Sequence, residues 1–418
     1  MKHPLMKVFV FAIFVFSALV CAVTDATGAD KQEFTIFART GPDSSEWLRI
    51  VAERFTADTG ITVNFIEQGQ NGYFTNLTNQ LVAGADDFDL AVTNSTYVGP
   101  WAYAGYIEPL DAHMSKFAPD YNADDLAFSY AIDGKTYAIP YSISAHFLYY
   151  RTDLISENDI PKTWDDLLTM AKKFTKSHNP DSPTPYGLAW TAKAGPEQPK
   201  TFYNYLWSLG GEIEVDGKAT VASEAGLKAG SYWAQIVADK LAPPEIANYS
   251  YSEVLEALQT GVVAMACPYW SAGYADITNK ESAYKSLIKC ALLPAGVKNV
   301  CFTHSYTMVL NAKGRNKDLA MKYYENLTDA TNQLAYAKIN GMAARYSALK
   351  DPSLDRGFFD VALKSLEVAR YEPLVPYYLE QHDIMNIALS GIMTGTVDYR
   401  EALKTAQEEL QALYDAQR

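Results

Sequence analysis

Short apolar runs alternate with stretches of helical spacing between residues 34 and 92. Each apolar run has the length of a strand, and each stretch between two runs carries apolar residues every three or four positions, as one face of a helix requires. The runs are 34–38, 61–66 and 88–92, and the helical repeats are Trp47, Val51, Phe55 and Phe74, Leu77, Leu81. Alternating strands and helices fold into a parallel sheet covered on both faces. The pattern therefore predicts an α/β fold.

Another buried strand is predicted over Val262–Ala266, where no residue carries a charge. A run of this kind is typical of a strand covered on both faces, and open parallel sheets bind ligands at the carboxyl ends of such strands. Tyr269 and Trp270 follow at that end. A Trp in this position either contacts a ligand or closes the core, and the residues alone leave both interpretations open.

Polar side chains are concentrated in the loops that follow the first three predicted strands. Because the carboxyl ends of parallel strands meet at one edge of a sheet, these loops are expected to line a crevice. Each polar residue alone is typical of a solvated loop, but because three such loops would form one crevice we interpret their donors and acceptors, together with Asp89 in the third strand, as candidate contacts to a polar ligand. The candidates are Arg39, Thr40, Asp43, Glu67, Gln68, Asn71, Tyr73, Asp89 and Asn94.

The N-terminal segment has the order of a secretory signal, with charge first, then an apolar run, then small residues. Lys2 and Lys7 precede an uncharged run over 8–23, and alanines follow where cleavage is expected. We expect residues 1–29 to be removed on export, which leaves a soluble periplasmic or extracellular protein. A lipid anchor at Cys21 is the less favoured alternative, because a valine precedes this cysteine where a small residue is usual.

Length, charge and motifs narrow the function classes. About 390 residues remain after the predicted cleavage, a length that favours two domains. The net charge is -14 and Lys and Arg form no block, which argues against nucleic-acid binding. The six histidines have no metal-ligand spacing, and no nucleophile elbow, phosphate loop or dinucleotide motif is present. We therefore predict a monomer that has no cofactor and is not an enzyme.

Five segments spread over the mature chain carry motifs in a fixed order. They are WAYAGYIEPL (101–110), LYYRTDL (148–154), PKTWDDL (161–167), TGVVAMACPYW (260–270) and GMAAR (341–345). The fourth is similar to the pattern G-x-x-A-M-x-x-x-x-W. Together the segments resemble the extracellular solute-binding proteins that supply ABC importers, in particular their carbohydrate-binding, maltose-binding-protein-like branch.

The resemblance implies two lobes, each a mostly parallel sheet flanked by helices, joined by a hinge of several strands. The implied boundaries are 30–139 with 304–350 for the first lobe and 140–303 with 351–418 for the second. In this family the aromatic residue that ends the G-x-x-A-M pattern stacks on the sugar, which makes Trp270 a candidate for that role. The further ligand contacts that we expect are Tyr269, Tyr141, Trp190, Trp207, His304 and Arg345.

We therefore expect a binding protein that captures a sugar or oligosaccharide, closes about short strands near Ile139 and 302–305, and delivers the solute to a membrane permease. Two alternatives remain open. The aromatic residues could instead bind a polyamine or a quaternary amine, with Glu67 and Asp89 as counter-charges. A secreted glycoside-active enzyme is less favoured, because adjacent acids such as those at 86–87 usually form a solvated turn.

The cysteines suggest a disulfide. Cys290 and Cys301 are equally distant from a predicted turn at 295–296, so in a hairpin they would face each other at a separation that a disulfide allows. Cys267 would then be left over. The alternative is that all three are buried thiols.

Overall fold

The computed structural model describes residues 32–279 and 281–417, except for the side chains of residues 42, 43 and 279. The predicted signal segment 1–29, with Cys21, lies outside the described residues. Within the described ranges, no helix combines the length and the apolar character that crossing a bilayer requires.

The described chain alternates strands and helices along its whole length. The strands are β1 (Glu33–Arg39), β2 (Thr62–Gln68), β3 (Leu90–Asn94), β4 (Ile107–Glu108), β5 (Tyr130–Ile132), β6 (Lys135–Ala138), β7 (Pro140–Arg151), β8 (Tyr186–Ala189), β9 (Glu214–Val215), β10 (Lys218–Ala219), β11 (Val263–Trp270), β12 (Ile288–Ala291), β13 (Cys301–Asn311) and β14 (Ala369–Arg370). The helices are α1 (Trp47–Thr59), α2 (Tyr73–Val82), α3 (Ser95–Tyr103), α4 (Asp111–Met114), α5 (Trp164–Lys173), α6 (Gln198–Ser208), α7 (Glu224–Ala238), α8 (Tyr251–Gln259), α9 (Gly273–Asn279), α10 (Lys317–Leu327), α11 (Ala330–Lys338), α12 (Tyr346–Leu349), α13 (Arg356–Leu366), α14 (Tyr378–Thr394) and α15 (Tyr399–Ala416).

The first three strands confirm the predicted β-α-β-α-β unit. β1 pairs in parallel with both β2 and β3, and the register places Arg39 beside Gln68. Gly60 ends α1 in the left-handed conformation, with φ at 74°, which costs a glycine less than any other residue. The apolar repeats of both helices point into the core, where Trp47 and Leu77 are buried. Periodicity alone was therefore sufficient to predict this unit.

One mixed sheet runs through the molecule in the order β2-β1-β3-β13-β7-β11-β8. Its two central strands are long, with 12 residues in β7 and 11 in β13. β13 pairs with β3 through 306–310 and with β7 through 303–307, whereas β7 pairs with β11 through 146–150. β7 and β13 therefore cross from the first half of the sheet to the second. The short strands predicted near Ile139 and 302–305 are longer in the structure, because their neighbours are also buried and almost all uncharged.

The predicted strand over 262–266 also extends beyond its apolar run. β11 reaches Trp270, pairs in parallel with β8 and antiparallel with β7, and is buried along its whole length. Trp270 is therefore the last residue of the strand and lies opposite His146 of β7.

The predicted hairpin and disulfide between Cys290 and Cys301 are wrong. β12 and β13 pair with different parts of β7 and not with each other, so the two cysteines do not face one another. The Cys290 thiol points to the carbonyl of Gly357, and the Cys301 thiol donates to the carbonyl of His146. Burial raises the pKa of both thiols to about 12. Cys267 is also free, so the alternative of three thiols holds.

Candidate functional site

The loops predicted to line a crevice meet at one edge of the sheet. Arg39, Gln68 and Asn94 end the three parallel strands, and the strand pairing places these ends side by side. The Arg39 guanidinium lies over the ring of Tyr306 in β13, 4.7 Å from its centroid. Asn94 accepts a hydrogen bond from the backbone N–H of Thr96 at 3.1 Å and so caps α3. The polar ends of the three parallel strands therefore lie next to the middle of β13, one of the two crossing strands.

Several candidates from these loops serve the protein's own structure. Tyr73 is buried, and its hydroxyl lies within hydrogen-bond distance of two strand carbonyls. Asp89 lies at the opposite end of β3, where its carboxylate accepts hydrogen bonds from two backbone N–H groups. Glu67 forms an ion pair with Arg49 at 2.6 Å. Both counter-charges expected for a cationic solute, Glu67 and Asp89, therefore have protein partners.

The remaining loop candidates are surface residues or lie outside the described side chains. Thr40 and Asn71 are exposed. The side chain of Asp43 is not among the described ones, so its predicted role stays a prediction.

Four further candidates are packed in the core. Arg345 is 1% exposed, and its guanidinium donates to three backbone carbonyls of neighbouring loops. Tyr269 donates to the carbonyl of Tyr251 at 2.9 Å, and Trp190 packs against another indole at 5.7 Å. Tyr141 is fully buried in β7. The structure thus gives each of these side chains a packing role.

Trp270, at the end of β11, packs against an aromatic cluster on the crossing strands β7 and β13. Its indole centroid is 3.8 Å from the imidazole centroid of His146, and it stacks on His304 with centroids 4.4 Å apart. Phe302 approaches the same ring edge-on at 6.1 Å. Only 5% of Trp270 is exposed. The predicted candidates Trp270 and His304 are therefore in contact, and His146, which the sequence did not indicate, joins them.

The surroundings of both imidazoles in this cluster favour their neutral form. Burial lowers the pKa of His146 and of His304 well below the ordinary value, and the charge of Lys200 lowers both further. Arg39 adds to the same effect at His304. Lys200 thus lies close enough to both rings to lower their pKa values, and Arg39 lies close enough to lower that of His304.

Asn204 fixes which nitrogen of His146 carries the proton. The Asn204 carbonyl oxygen accepts from the backbone N–H of Phe302 at 2.7 Å, so its amide nitrogen is the group that faces His146 Nδ1, at 2.8 Å. Nδ1 is therefore an acceptor, and the proton of the neutral ring is on Nε2. That N–H donor is buried and has no hydrogen-bond partner within the described chain.

Helix α6 contributes a buried cation and an indole donor. The side chain of Lys200 is 0% exposed, and its ammonium lies 3.7 Å from the carboxylate of Glu197. Neither Lys200 Nζ nor Trp207 Nε1 makes a hydrogen bond to any described residue. The Trp207 ring is stacked on Phe302, which links this helix to the cluster around Trp270.

Glu372 brings a buried carboxylate to the same region from the segment between β14 and α14. Thr96 donates to its Oε1 at 2.7 Å, whereas Oε2 has no partner among the described residues. Burial raises the pKa of Tyr378, and the charge of Glu372 raises it further, so this phenol lies near the carboxylate. The Tyr378 hydroxyl is likewise unpartnered in the described ranges.

These groups form what we call the central site, namely His146, Lys200, Trp207, Trp270, His304, Glu372 and Tyr378. Six of its buried polar atoms have no hydrogen-bond partner in residues 32–417 as described. A buried polar group without a partner costs about 1–3 kcal/mol, so partners from outside the chain are expected here. Across the described residues, no group of three or more His, Cys, Asp or Glu side chains could hold a metal ion.

Sequence reasoning missed Lys200 and Glu372, which carry the charge of this site. The available signal was a single charge within aromatic-rich segments, KTFYNYLW for Lys200 and YEPLVPYY for Glu372. A charge that the fold buries among aromatic residues needs a partner, and that pattern could have marked both positions.

Comparison with known proteins finds relatives and solved structures that align with most of this chain. A relative in Sinorhizobium fredii, named "Probable amino-acid ABC transporter periplasmic-binding protein", is 27% identical over 390 residues, which cover 87% of this chain and 86% of that protein. The mannitol-binding protein of Pseudomonas aeruginosa is 24% identical over 330 residues, with 77% of this chain and 74% of that protein covered. An ABC transporter solute-binding protein of Agrobacterium radiobacter K84, solved in complex with ribitol, superposes with a TM-score of 0.81 at 24% identity and covers 91% of this chain and 98% of that one.

The structural likeness shows a two-lobed fold. β7 and β13 are the long strands at the centre of the sheet, which pair with strands of both its halves. Residues 40–334 match the family model described as bacterial extracellular solute-binding protein. This match covers well over half of the chain. The chain belongs to the family of bacterial extracellular solute-binding proteins.

Proposed function

We propose that the protein captures a neutral polyhydroxylated solute, a sugar or a polyol, in the central site and delivers it to the membrane permease of an ABC importer. The observation that carries this proposal is the set of buried polar atoms without partners among the described residues. The set mixes donors, at Lys200, Trp207 and His146, with an acceptor at Glu372. A hydroxyl group both donates and accepts, so a molecule with several hydroxyls can pair them all. The relatives named for mannitol and ribitol support the same solute class.

A purely cationic solute fits the central site less well. An ammonium group only donates, so it could pair Glu372 but would leave the donors of His146 and Lys200 without acceptors. Lys200 and Arg39 would also repel it.

An amino acid is the second candidate. Its carboxylate would pair with Lys200 and its ammonium with Glu372, and the relative in Sinorhizobium fredii is named for amino-acid transport. The indole and imidazole donors would then have fewer acceptors than a polyol offers them. For that reason we place the amino acid second.

Solute binding in this proposal is coupled to closure of the lobes. No member of the central site is more than 6% exposed, so a solute reaches these atoms only when the lobes separate. The hydrogen bond from Thr96 of α3 to Glu372 ties the first lobe to the segment that follows β14. A solute that contacts both lobes favours the closed state by its higher affinity for that state. Bending of β7 and β13 would allow the motion.

The remaining parts of the proposal concern location and chemistry. We propose that residues 1–29 direct export, that the mature protein acts as a monomer outside the cytoplasm, and that it binds no nucleic acid, in keeping with its net charge of -14. We also propose that the protein binds its solute reversibly and does not change it chemically.

A thermal-shift screen tests this function. The panel contains sugars, sugar alcohols, amino acids, putrescine and choline, because a solute at a hundred times its Kd adds about 2.7 kcal/mol to stability. We expect the largest shifts from sugars or sugar alcohols, and recovery of the bound solute unchanged. Shifts from amino acids alone would favour the second candidate, and conversion of an oligosaccharide to shorter products would replace binding by catalysis.

A further inference from the structure

The indole ring of Trp270 is covered by the protein itself. His304 stacks on it at 4.4 Å with an interplanar angle of 23°, and His146 lies at 3.8 Å with an angle of 36°. These distances are those of direct ring contact. With 5% of the residue exposed, no indole face is free for a ligand of the size of a sugar ring.

Trp207, the other indole of the central site, is covered in the same way. Phe302 stacks on it with an interplanar angle of 7°, and the Tyr203 ring lies 5.3 Å away at 26°. The guanidinium of Arg370 lies over the ring at 4.3 Å and is held there by a bidentate pair with Glu212. Trp207 is 1% exposed.

Covered aromatic faces limit the class of solute. A sugar ring has apolar faces that are most favourably buried against a free aromatic face, and an oligosaccharide needs several such faces along an open groove. An acyclic sugar alcohol has no flat apolar face, and it carries hydroxyls along its whole length. It therefore needs separate hydrogen-bonding atoms, which are what the central site offers at Lys200, His146 and Glu372.

On the basis of the function proposed above, we propose that the solute is a short acyclic polyol held by separate hydrogen bonds, donated by Lys200 and His146 and accepted by Glu372. In this arrangement Trp270 is a positioning residue that keeps the two imidazoles in place. This assignment replaces the stacking role that family resemblance implies for Trp270. It also decides between the small and the oligomeric solutes that the sequence left open.

Calorimetric titration of the purified mature protein with D-mannitol, ribitol, D-glucose and maltotriose tests the proposal. We expect one of the two sugar alcohols to bind at least tenfold more tightly than D-glucose or maltotriose. Tighter binding of maltotriose or D-glucose would overturn the polyol assignment and leave the sugar-binding function intact. No binding of any of these four probes, together with binding of an amino acid or an amine in the thermal-shift screen, would overturn both.

Two variants test the roles of the residues with the best-binding sugar alcohol. Glu372→Gln keeps the shape but weakens the acceptor, and we expect its Kd to rise at least tenfold. Trp270→Phe keeps a ring between the imidazoles, and we expect its Kd to change less than threefold. A tenfold loss in Trp270→Phe with an unchanged melting temperature would show that the indole contacts the solute, which overturns the positioning role. The change Glu367→Gln, in the turn that follows α13, serves as the matched control.

Discussion

Replacing Lys200 by Met removes a buried charge from the central site and keeps a side chain of similar length. The ammonium is 0% exposed, lies 3.7 Å from Glu197 and makes no hydrogen bond within the described residues. If it binds the solute, its removal should weaken binding. If it has no structural task, the stability of the free protein should change little without it.

The expected magnitudes follow from the same contacts. A hydrogen bond to a charged group contributes about 1.5–3 kcal/mol, so its loss should raise Kd roughly 10- to 150-fold. In the free protein, removing an unpaired buried donor relieves about 1–3 kcal/mol, and the lost attraction to Glu197 opposes this gain. The Glu197 side chain is 29% exposed overall, but its Oε2 is buried and has no hydrogen-bond partner among the described residues, so the gain and the cost are of similar size. We expect the free energy of unfolding to change by less than about 2 kcal/mol.

Urea unfolding and calorimetric titration of the same Lys200→Met preparation measure both quantities. Lys404→Met is the matched control, because Lys404 lies on α15 with 75% of its side chain exposed and should alter neither value by more than about 0.5 kcal/mol. A variant that loses more than about 2 kcal/mol of stability and binds solute as tightly as the wild type would refute the reasoning. Lys200 would then be a structural cation.

Three further predictions concern groups outside the solute contacts. Thiol titration in denaturant should give equal counts with and without reductant, since Cys267, Cys290 and Cys301 are free; two additional thiols after reduction would contradict this. Arg345→Met should lower the free energy of unfolding by about 3–5 kcal/mol, because three carbonyls and an aspartate lose their buried partner. Its Kd should be unchanged, and a loss of affinity at normal stability would assign Arg345 to the site instead. Burial lowers the pKa of His382 to about 4, so the unfolded chain binds a proton at this residue below pH 6.5 that the folded protein does not bind. The contribution of His382 to stability is therefore complete above pH 6.5 and falls as the pH drops towards 4, by about 2 kcal/mol at pH 5. Urea unfolding of His382→Gln should show a correspondingly smaller loss between pH 7 and pH 5, and equal losses would refute the assignment.

The fold was largely predictable because periodicity and strand order are local properties of the chain. The repeats of Trp47 and Leu77 point inward as predicted, and the parallel strands between them bring Arg39, Gln68 and Asn94 to one edge. The spacing of Cys290 and Cys301 misled for the opposite reason. Equal distance from a turn takes account only of the two segments that flank the turn. In the structure both segments pair with a third, β7, and not with each other.

The site was only partly predictable, because its charges meet through the tertiary fold. Trp270 was singled out by its position at the end of a buried strand and by the family resemblance, but Glu372 reaches Thr96 across 276 residues of sequence. Polar residues near strand ends also have structural uses, because the Asp89 carboxylate accepts hydrogen bonds from two backbone N–H groups. Sequence alone does not distinguish these two uses of a polar side chain.

The most direct test of the central site is an NMR spectrum of the imidazole nitrogens, recorded with and without the solute that binds best. His146 Nε2 and His304 Nδ1 have no hydrogen-bond partner in the described structure, whereas His178 lies on the surface, with its Nε2 2.6 Å from the Asp239 carbonyl oxygen. We predict that saturation with the solute moves the resonances of His146 and His304 and leaves those of His178 in place. A solute that binds and moves neither His146 nor His304 would contradict the placement of the binding site.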